Sequence, residues 1–220
     1  LKEPLRGLHN HSRFLLEDYE DKLDDDGVRR LNRLVRLSQR MEKLVNDLLY
    51  FSRLGRQQLA VKRSDIGLIV KDVVATMELL LEERHARVVI DGRLPEVVCD
   101  APRLTEVFRN LITNAIKYND KPAPLVSIGY LDRFVGKDGT VARNVFFVKD
   151  NGKGIPQEFH EDIFRIFKRL EKSQDSDDGT GAGLTFVRKI IARHNGDIWL
   201  ESEVGTGTTF YFTLGKKREG

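Results

Sequence analysis

At 220 residues, 40% hydrophobic and 32% charged, the chain can form one large or two small domains, and its composition is that of a soluble, charge-rich protein. A formal charge of +3, with basic and acidic residues interspersed, excludes the concentrated basic footprint of a nucleic-acid binder. The single cysteine, Cys99, excludes an internal disulfide and any multi-cysteine metal site, and no apolar run reaches the ~18 residues of a membrane span.

Residues 1–58 read as a helical hairpin. Leu1, Leu5, Leu8, Ser12, Leu15 and Tyr19 alternate by four and three, the spacing of one helix stripe. Asp24-Asp25-Asp26-Gly27 breaks the pattern, which resumes at Leu31, Leu34, Ser38, Met41, Val45 and Leu48, with Gly55 as a stop. Two helices cannot bury stripes this wide against each other, so a second copy is expected to complete a four-helix bundle through residues 1–54. Arg29, Arg33, Arg36 and Arg40 give the second helix a basic face, which reads first as a solvated surface.

From residue 59 to 216 the texture becomes mixed. Ser64 is the expected N-cap of a helix through Arg84, and Arg87–Asp91 and Glu96–Cys99 read as short strands, the latter burying Cys99. Asp100 caps a helix with Pro102 in its first turn, running to about Tyr118. Leu125–Arg133 and Arg143–Lys149 alternate like paired strands around a Lys137-Asp138-Gly139 turn. A helix from Leu184 to about His194 and strands near Asp197–Ser202 and Thr208–Leu214 complete the chain. The fold class is therefore α+β: a helical hairpin, then helices layered on one mixed sheet.

Four blocks in the second half carry chemistry. Asn110, Asn114, Lys117 and Tyr118 share one helix face, opposite an apolar stripe of Leu104, Val107, Phe108, Leu111, Ile112 and Ile116. Amide oxygens suit a hard Mg²⁺ ion that bridges nucleotide phosphates, and Lys117 adds a cation for them; alone, this face reads equally as polar surface. Asp150-x-Gly152-x-Gly154 follows a β run: its carboxylate can accept from the exocyclic amine of adenine and rejects guanine, which presents an oxygen there. Gly179-x-Gly181-x-Gly183 precedes an amphipathic helix whose N-terminal N–H groups suit phosphate oxygens. Gly205-x-Gly207-Thr208 lets the last strand approach a base, and the polar stretch Ser173–Asp178 reads as a mobile lid. Each block alone is weak; the ordered set describes an ATP pocket.

With these blocks in this order, the chain resembles the catalytic core of sensor histidine kinases of two-component signalling. More broadly it is similar to the Bergerat-type ATP-binding fold shared with gyrase and MutL. Asn110–Tyr118 resembles the N box, Asp150–Gly154 the G1 box, Phe164-x-x-Phe167-x-Arg169 the F box, Gly179–Leu184 the G2 box and Gly205–Phe210 the last glycine box. Leu1-Lys2-Glu3-Pro4-Leu5-Arg6 resembles the tail of the H box in the phytochrome-like branch. The resemblance implies Mg²⁺ on Asn114 assisted by Asn110, and phosphates on Lys117, Tyr118 and Arg169. It implies adenine on Asp150, with ATP contacts from Gly152, Gly154, Ile155, Phe167, Gly179, Gly181, Gly183, Leu184 and Thr208. It further implies a homodimer, a response-regulator receiver domain as partner, an upstream sensor domain, a cytoplasmic location and no membrane contact.

In that family the phosphate-accepting histidine lies five positions before the proline, so counting back from Pro4 passes residue 1. His9 and His11 lie on the other side of Pro4; His85, His160 and His194 have no motif support and read as surface or turn residues. The expectation is a chain that binds Mg-ATP without holding its own acceptor. The alternatives are a nucleotide-binding dimeric signalling module and a related ATPase. Such ATPases place a glutamate four residues before the magnesium asparagine, where this chain has Asn110.

Overall fold

The computed structural model describes residues 2–136, 139–168 and 180–215. Leu1, Lys137, Asp138, Arg169, the Ser173–Asp178 stretch and Gly179 therefore lie outside the described residues. Packing divides the chain into two units, residues 1–57 with 171–182, and residues 58–170 with 183–220.

In the first unit, helix α1 (Lys2–Tyr19) and helix α2 (Asp25–Arg56) form the hairpin. The connection is a 3₁₀ turn over Glu20–Lys22, so the break precedes the acidic run. Asp24 caps α2 by accepting from the Gly27 N–H at 2.7 Å, which places Gly27 inside the first turn. Gly55 does not stop the helix: α2 continues to Arg56 because no left-handed residue intervenes and Gln57 leaves in extended geometry. Between the helices, Leu5, Ser12 and Ser38 are buried, and the Ser38 hydroxyl meets His9 Nδ1 at 3.4 Å; Leu54 is buried near the end of α2. Much of the remaining stripe stays open, from Leu8 and Leu15 on α1 to Leu34, Met41 and Leu48 on α2.

The second unit contains β1 (Lys62–Asp65), α3 (Ile66–Ala75), α4 (Glu78–Glu83), β2 (Arg87–Asp91), β3 (Glu96–Cys99) and α5 (Ala101–Lys117). It continues with β4 (Leu125–Val135), β5 (Val141–Asp150), α6 (Gly183–Arg193), β6 (Ile198–Glu203) and β7 (Gly207–Thr213). The mixed sheet runs β2-β4-β5-β7-β6, parallel only at β2–β4, while β1 and β3 pair separately and antiparallel. The expected single helix from Ser64 to Arg84 is two helices. Ser64 sits in β1, its hydroxyl donating to the Lys62 carbonyl, and the stronger acceptor Asp65 caps α3 by taking the Gly67 and Leu68 N–H groups. The helix then breaks at Thr76, whose hydroxyl donates to the Val73 carbonyl at 2.7 Å.

The core lies between the sheet and α3, α5 and α6. All six apolar positions read on α5 are buried, and Phe108 meets Phe212 edge-on at 5.7 Å. Burying each such ring contributes roughly 1.5–3 kcal/mol. On β5, Asn144 has φ +57° and interrupts the β4–β5 pairing between Leu131↔Val145 and Arg133↔Arg143. Beyond it, Phe134 and Ala142 join Val145, Leu131, Trp199 and Tyr211 in a second, smaller aromatic cluster. Cys99 is fully buried, and that burial pushes its thiol pKa up.

Candidate functional site

The polar face of α5 is aimed by what holds the start of the helix. Asp100 caps it, accepting from the Arg103 N–H at 3.3 Å, and its other oxygen accepts from the Ala60 N–H at 2.9 Å. The Asp100 N–H donates to His194 Nε2 at 3.0 Å, while His194 Nδ1 lies 2.8 Å from the Ile190 carbonyl. One ring nitrogen must accept and the other donate, so His194 is neutral. It is buried. His194, in the turn that follows α6, is therefore an interior strut joining α5 and α6 and not a surface residue; no sequence pattern marks an imidazole that caps from a distance. His85, by contrast, is an exposed turn residue with φ +50°.

With its apolar stripe buried, α5 leaves Asn110 and Asn114 half-exposed on the other face. Asn110 ties its amide nitrogen to the Glu106 carbonyl at 2.9 Å and keeps its oxygen beside the first residue of α6. A Cβ on Gly183 would lie 2.5 Å from that oxygen, so any larger residue there would push the Asn110 amide aside. Lys117 Nζ lies 5.1 Å from the Tyr118 ring centre, and Tyr118 is 43% exposed. All four residues remain on one face, with the cation at the C-terminal end.

Asp150 ends β5. Its Oδ1 accepts from the Gly152 N–H at 2.8 Å and the Thr208 N–H at 3.2 Å. Among the described residues no hydrogen bond reaches Oδ2. Burial raises the Asp150 pKa, and the two backbone N–H bonds oppose that rise by favouring the charged form. A side chain at Gly152 would press on the Tyr118 carbonyl, one at Gly154 on the Glu203 carbonyl and one at Gly207 on the Asp150 carbonyl. Gly154 and Gly207 also need φ of +73° and +132°. The glycine blocks thus bring the ends of α5, β5 and β7 together around one carboxylate.

Sequence reasoning missed the residues that lace these ends. Asn151 Oδ1 accepts from Asn119 Nδ2 and from the Leu125 N–H, both at 2.8 Å, and its Nδ2 donates to the Ala123 carbonyl. Lys121 Nζ donates to the Gly205 carbonyl at 3.1 Å, and the Gly205 N–H donates to the Lys153 carbonyl at 2.7 Å. Ser202 on β6 bonds Ile155, Gly207 and Thr208. Asn119 of the 119–125 connection, Asn151 after β5 and the lone serine of β6 carry no recognisable spacing, so only the fold exposes their roles.

The two F-box phenylalanines behave differently. Phe164 is buried, meeting Phe210 at 6.3 Å with Arg188 over its ring at 5.5 Å, while Phe167 is 38% exposed with φ +62°. A left-handed aromatic residue is a strained one. Ile155 and Leu184 are half-buried, Thr208 is buried, and Gly181 has φ +79°.

The arrangement fits an adenine nucleotide. Oδ2 of Asp150 accepts no hydrogen bond from the described residues, while a Cβ at Gly152 would crowd Oδ1 at 3.0 Å, so glycine leaves the carboxylate unhindered on that side. No group of three His, Cys, Asp or Glu that could hold a metal exists among the described residues. A magnesium ion here would take the amide oxygens of Asn114 and Asn110 together with phosphate oxygens, a hard-ligand set it favours.

Comparison with known proteins returns matching family models at both ends. Residues 99–218 match the histidine kinase-, DNA gyrase B-, and HSP90-like ATPase model, and residues 1–57 match the His Kinase A (phospho-acceptor) domain. The chain is 48% identical over 97% of its length to cyanobacterial phytochrome B of Nostoc sp., and 36% identical over 97% to the phytochrome-like protein Cph1 of Synechocystis sp.. It spans 28% and 27% of those relatives. Among solved structures it is similar to full-length ShkA in complex with AMPPNP, with a TM-score of 0.66 and 26% identity, covering 97% of this chain and 43% of that one. No helix among the described residues is long and apolar enough to cross a membrane.

Proposed function

The chain belongs to the histidine kinase-, DNA gyrase B-, and HSP90-like ATPases, and we propose that it is the Mg-ATP-binding core through which a sensor histidine kinase phosphorylates a histidine. The observation that carries this reading is the half-satisfied carboxylate of Asp150, with one oxygen held by two backbone N–H groups and the other open. An acceptor in that position takes the exocyclic amine of adenine and repels the oxygen that guanine carries there. Gly152, Gly154, Ile155 and Thr208 surround the base, while Gly183 and Leu184 begin the helix whose N–H groups face phosphate. Lys117, Tyr118 and Arg169 contact phosphate oxygens, Gly179 and Gly181 hinge the lid, and Phe167 contacts ATP. Asn114, assisted by Asn110, would hold Mg²⁺, which would supply positive charge to neutralise the phosphates.

Transfer breaks the bond between the γ-phosphorus and the bridging β-oxygen, forms a bond from the bare imidazole nitrogen and releases ADP; the other ring nitrogen gives its proton to a base. The phosphoryl group then moves to an aspartate of a receiver-domain partner. His9 is half-buried against Ser38, and His11 stands beside Phe14 with no acidic residue three or four positions away on the helix, so neither takes the acceptor role. The acceptor is outside residues 1–220, and the chain binds ATP without labelling itself. Residues 1–54 form a homodimer, supported by the open apolar stripes of α1 and α2. A core supplied by cellular ATP works in the cytoplasm, under a sensor domain elsewhere in the protein. The lack of a glutamate at position 110 disfavours the water-activating ATPase reading.

Titration calorimetry with Mg-ATP tests the reading. Binding by the wild-type chain, and its loss in Asp150→Ala and Asn114→Ala, is expected. Undiminished uptake in both variants would overturn it. Incubation with γ-labelled ATP adds a second check: acid-labile label on the chain would overturn the absent acceptor.

A further inference from the structure

We propose that Ser202 is a specificity-determining positioning residue: it turns the Thr208 hydroxyl into a pure acceptor beside Asp150, and so sharpens the choice of adenine over guanine. The proposal rests on the ATP-binding reading and adds to it a residue that no motif contains. Ser202 Oγ has three neighbours. The Ile155 N–H, 2.8 Å away, can only donate to it, and the Gly207 carbonyl, 3.0 Å away, can only accept from it. The Thr208 hydroxyl lies 2.8 Å away and can do either.

A serine hydroxyl has one proton and two lone pairs. Only one arrangement satisfies all three contacts: Ser202 gives its proton to Gly207 and receives hydrogens from both Ile155 and Thr208. The Thr208 proton is then committed to Ser202, and its oxygen has only lone pairs left to offer. The backbone N–H of the same threonine bonds Asp150 Oδ1, which fixes this residue next to the base-reading carboxylate. Thr208 is buried and Ser202 half-buried, facing each other in the β6–β7 pairing, so water has limited access to the Thr208 hydroxyl.

A base bearing an amine, directly or through a bridging water, meets acceptors on both sides. A base bearing an oxygen meets two repulsive lone-pair sets and finds no hydroxyl proton free to rotate toward it. Without Ser202, the Thr208 hydroxyl can turn and donate, which relaxes the rejection of guanine.

The test measures Mg-ATP and Mg-GTP affinities by calorimetry for wild type, Ser202→Ala, Ser202→Thr, Thr208→Val and the double variant Ser202→Ala/Thr208→Val. The ATP:GTP preference is expected to fall about tenfold in Ser202→Ala and by a similar factor in Thr208→Val. The double variant falls no further, because both changes remove one device. Ser202→Thr, which keeps the hydroxyl, retains the preference. An equal loss of affinity for both nucleotides in Ser202→Ala, with the ratio preserved, would overturn the proposal and leave only a structural role. So would additive losses in the double variant. A wild-type chain binding neither nucleotide would overturn the ATP reading beneath it, and is told apart from the first result because no ratio exists to change.

Discussion

The hairpin and the α/β unit use similar apolar residues to opposite ends. In the α/β unit Phe108 and Phe212 are fully buried, and α3, α5 and α6 each spend their stripe on the sheet or on one another. In the hairpin Leu8, Phe14, Leu34 and Leu48 are 46%, 50%, 41% and 54% exposed. One region is closed and self-sufficient; the other has an unused face. The difference teaches that apolar periodicity reports which side of a helix seeks burial, but not whether its own chain supplies the partner.

Substitution separates the two regimes most sharply in the core. Phe108→Ala is expected to cost about 3–5 kcal/mol in urea denaturation of the α/β unit, through lost burial and the cavity left behind. A cost below about 1 kcal/mol would show that this core is not closed as described. Leu34→Ala/Leu48→Ala is expected to change little in the stability of an isolated protomer and to shift sedimentation toward the monomer. An unchanged sedimentation profile would mean that the open stripe is not a self-association face.

A third expectation concerns pH. Burial raises the Asp150 pKa above its unfolded value of about 3.8, so the native state holds this proton more tightly than the unfolded chain. That group alone therefore stabilises the fold as pH falls through its folded-state pKa, and its stabilising contribution is lost as pH rises. Nucleotide affinity has the reverse sign, because adenine needs the charged acceptor: it should weaken on acidification, beginning above the ordinary aspartate range. Asp150→Asn should lose this pH dependence in calorimetry; an unaltered profile would assign it to another group. Smallest of all, Arg13→Ala should change stability by no more than about 0.5 kcal/mol, since its 2.7 Å pair with Glu17 is exposed. Cys99 offers a qualitative companion: its buried thiol should resist a thiol reagent until denaturant opens the α/β unit.

Much of the mixed sheet was legible because each strand alternates with period two and each glycine block interrupts it. The shared face of Asn110, Asn114, Lys117 and Tyr118 was legible because a helix repeats every 3.6 residues. What escaped prediction depends on competition or on distance. Ser64 and Asp65 are both caps by type, and the charged one prevails. The break at Thr76 needs a hydroxyl to turn back on its own helix. His194 reaches Asp100 across 94 positions of sequence, and Asn151 reaches Asn119 across 32, separations that no local pattern encodes. The Asn144 reversal is hidden for another reason: a non-glycine residue with positive φ leaves no mark in a hydropathy pattern.

That reversal brings Phe134 to 5.4 Å from Trp199, with Tyr211 stacked at 5.8 Å on the same indole. Trp199 is the chain's one tryptophan. Tryptophan emission, excited selectively at the red edge where the five tyrosines do not absorb, consequently has a single address, in the α/β unit. Far-ultraviolet dichroism sums the helices of both units, so a helical change that leaves the indole signal fixed reports on the hairpin without any label.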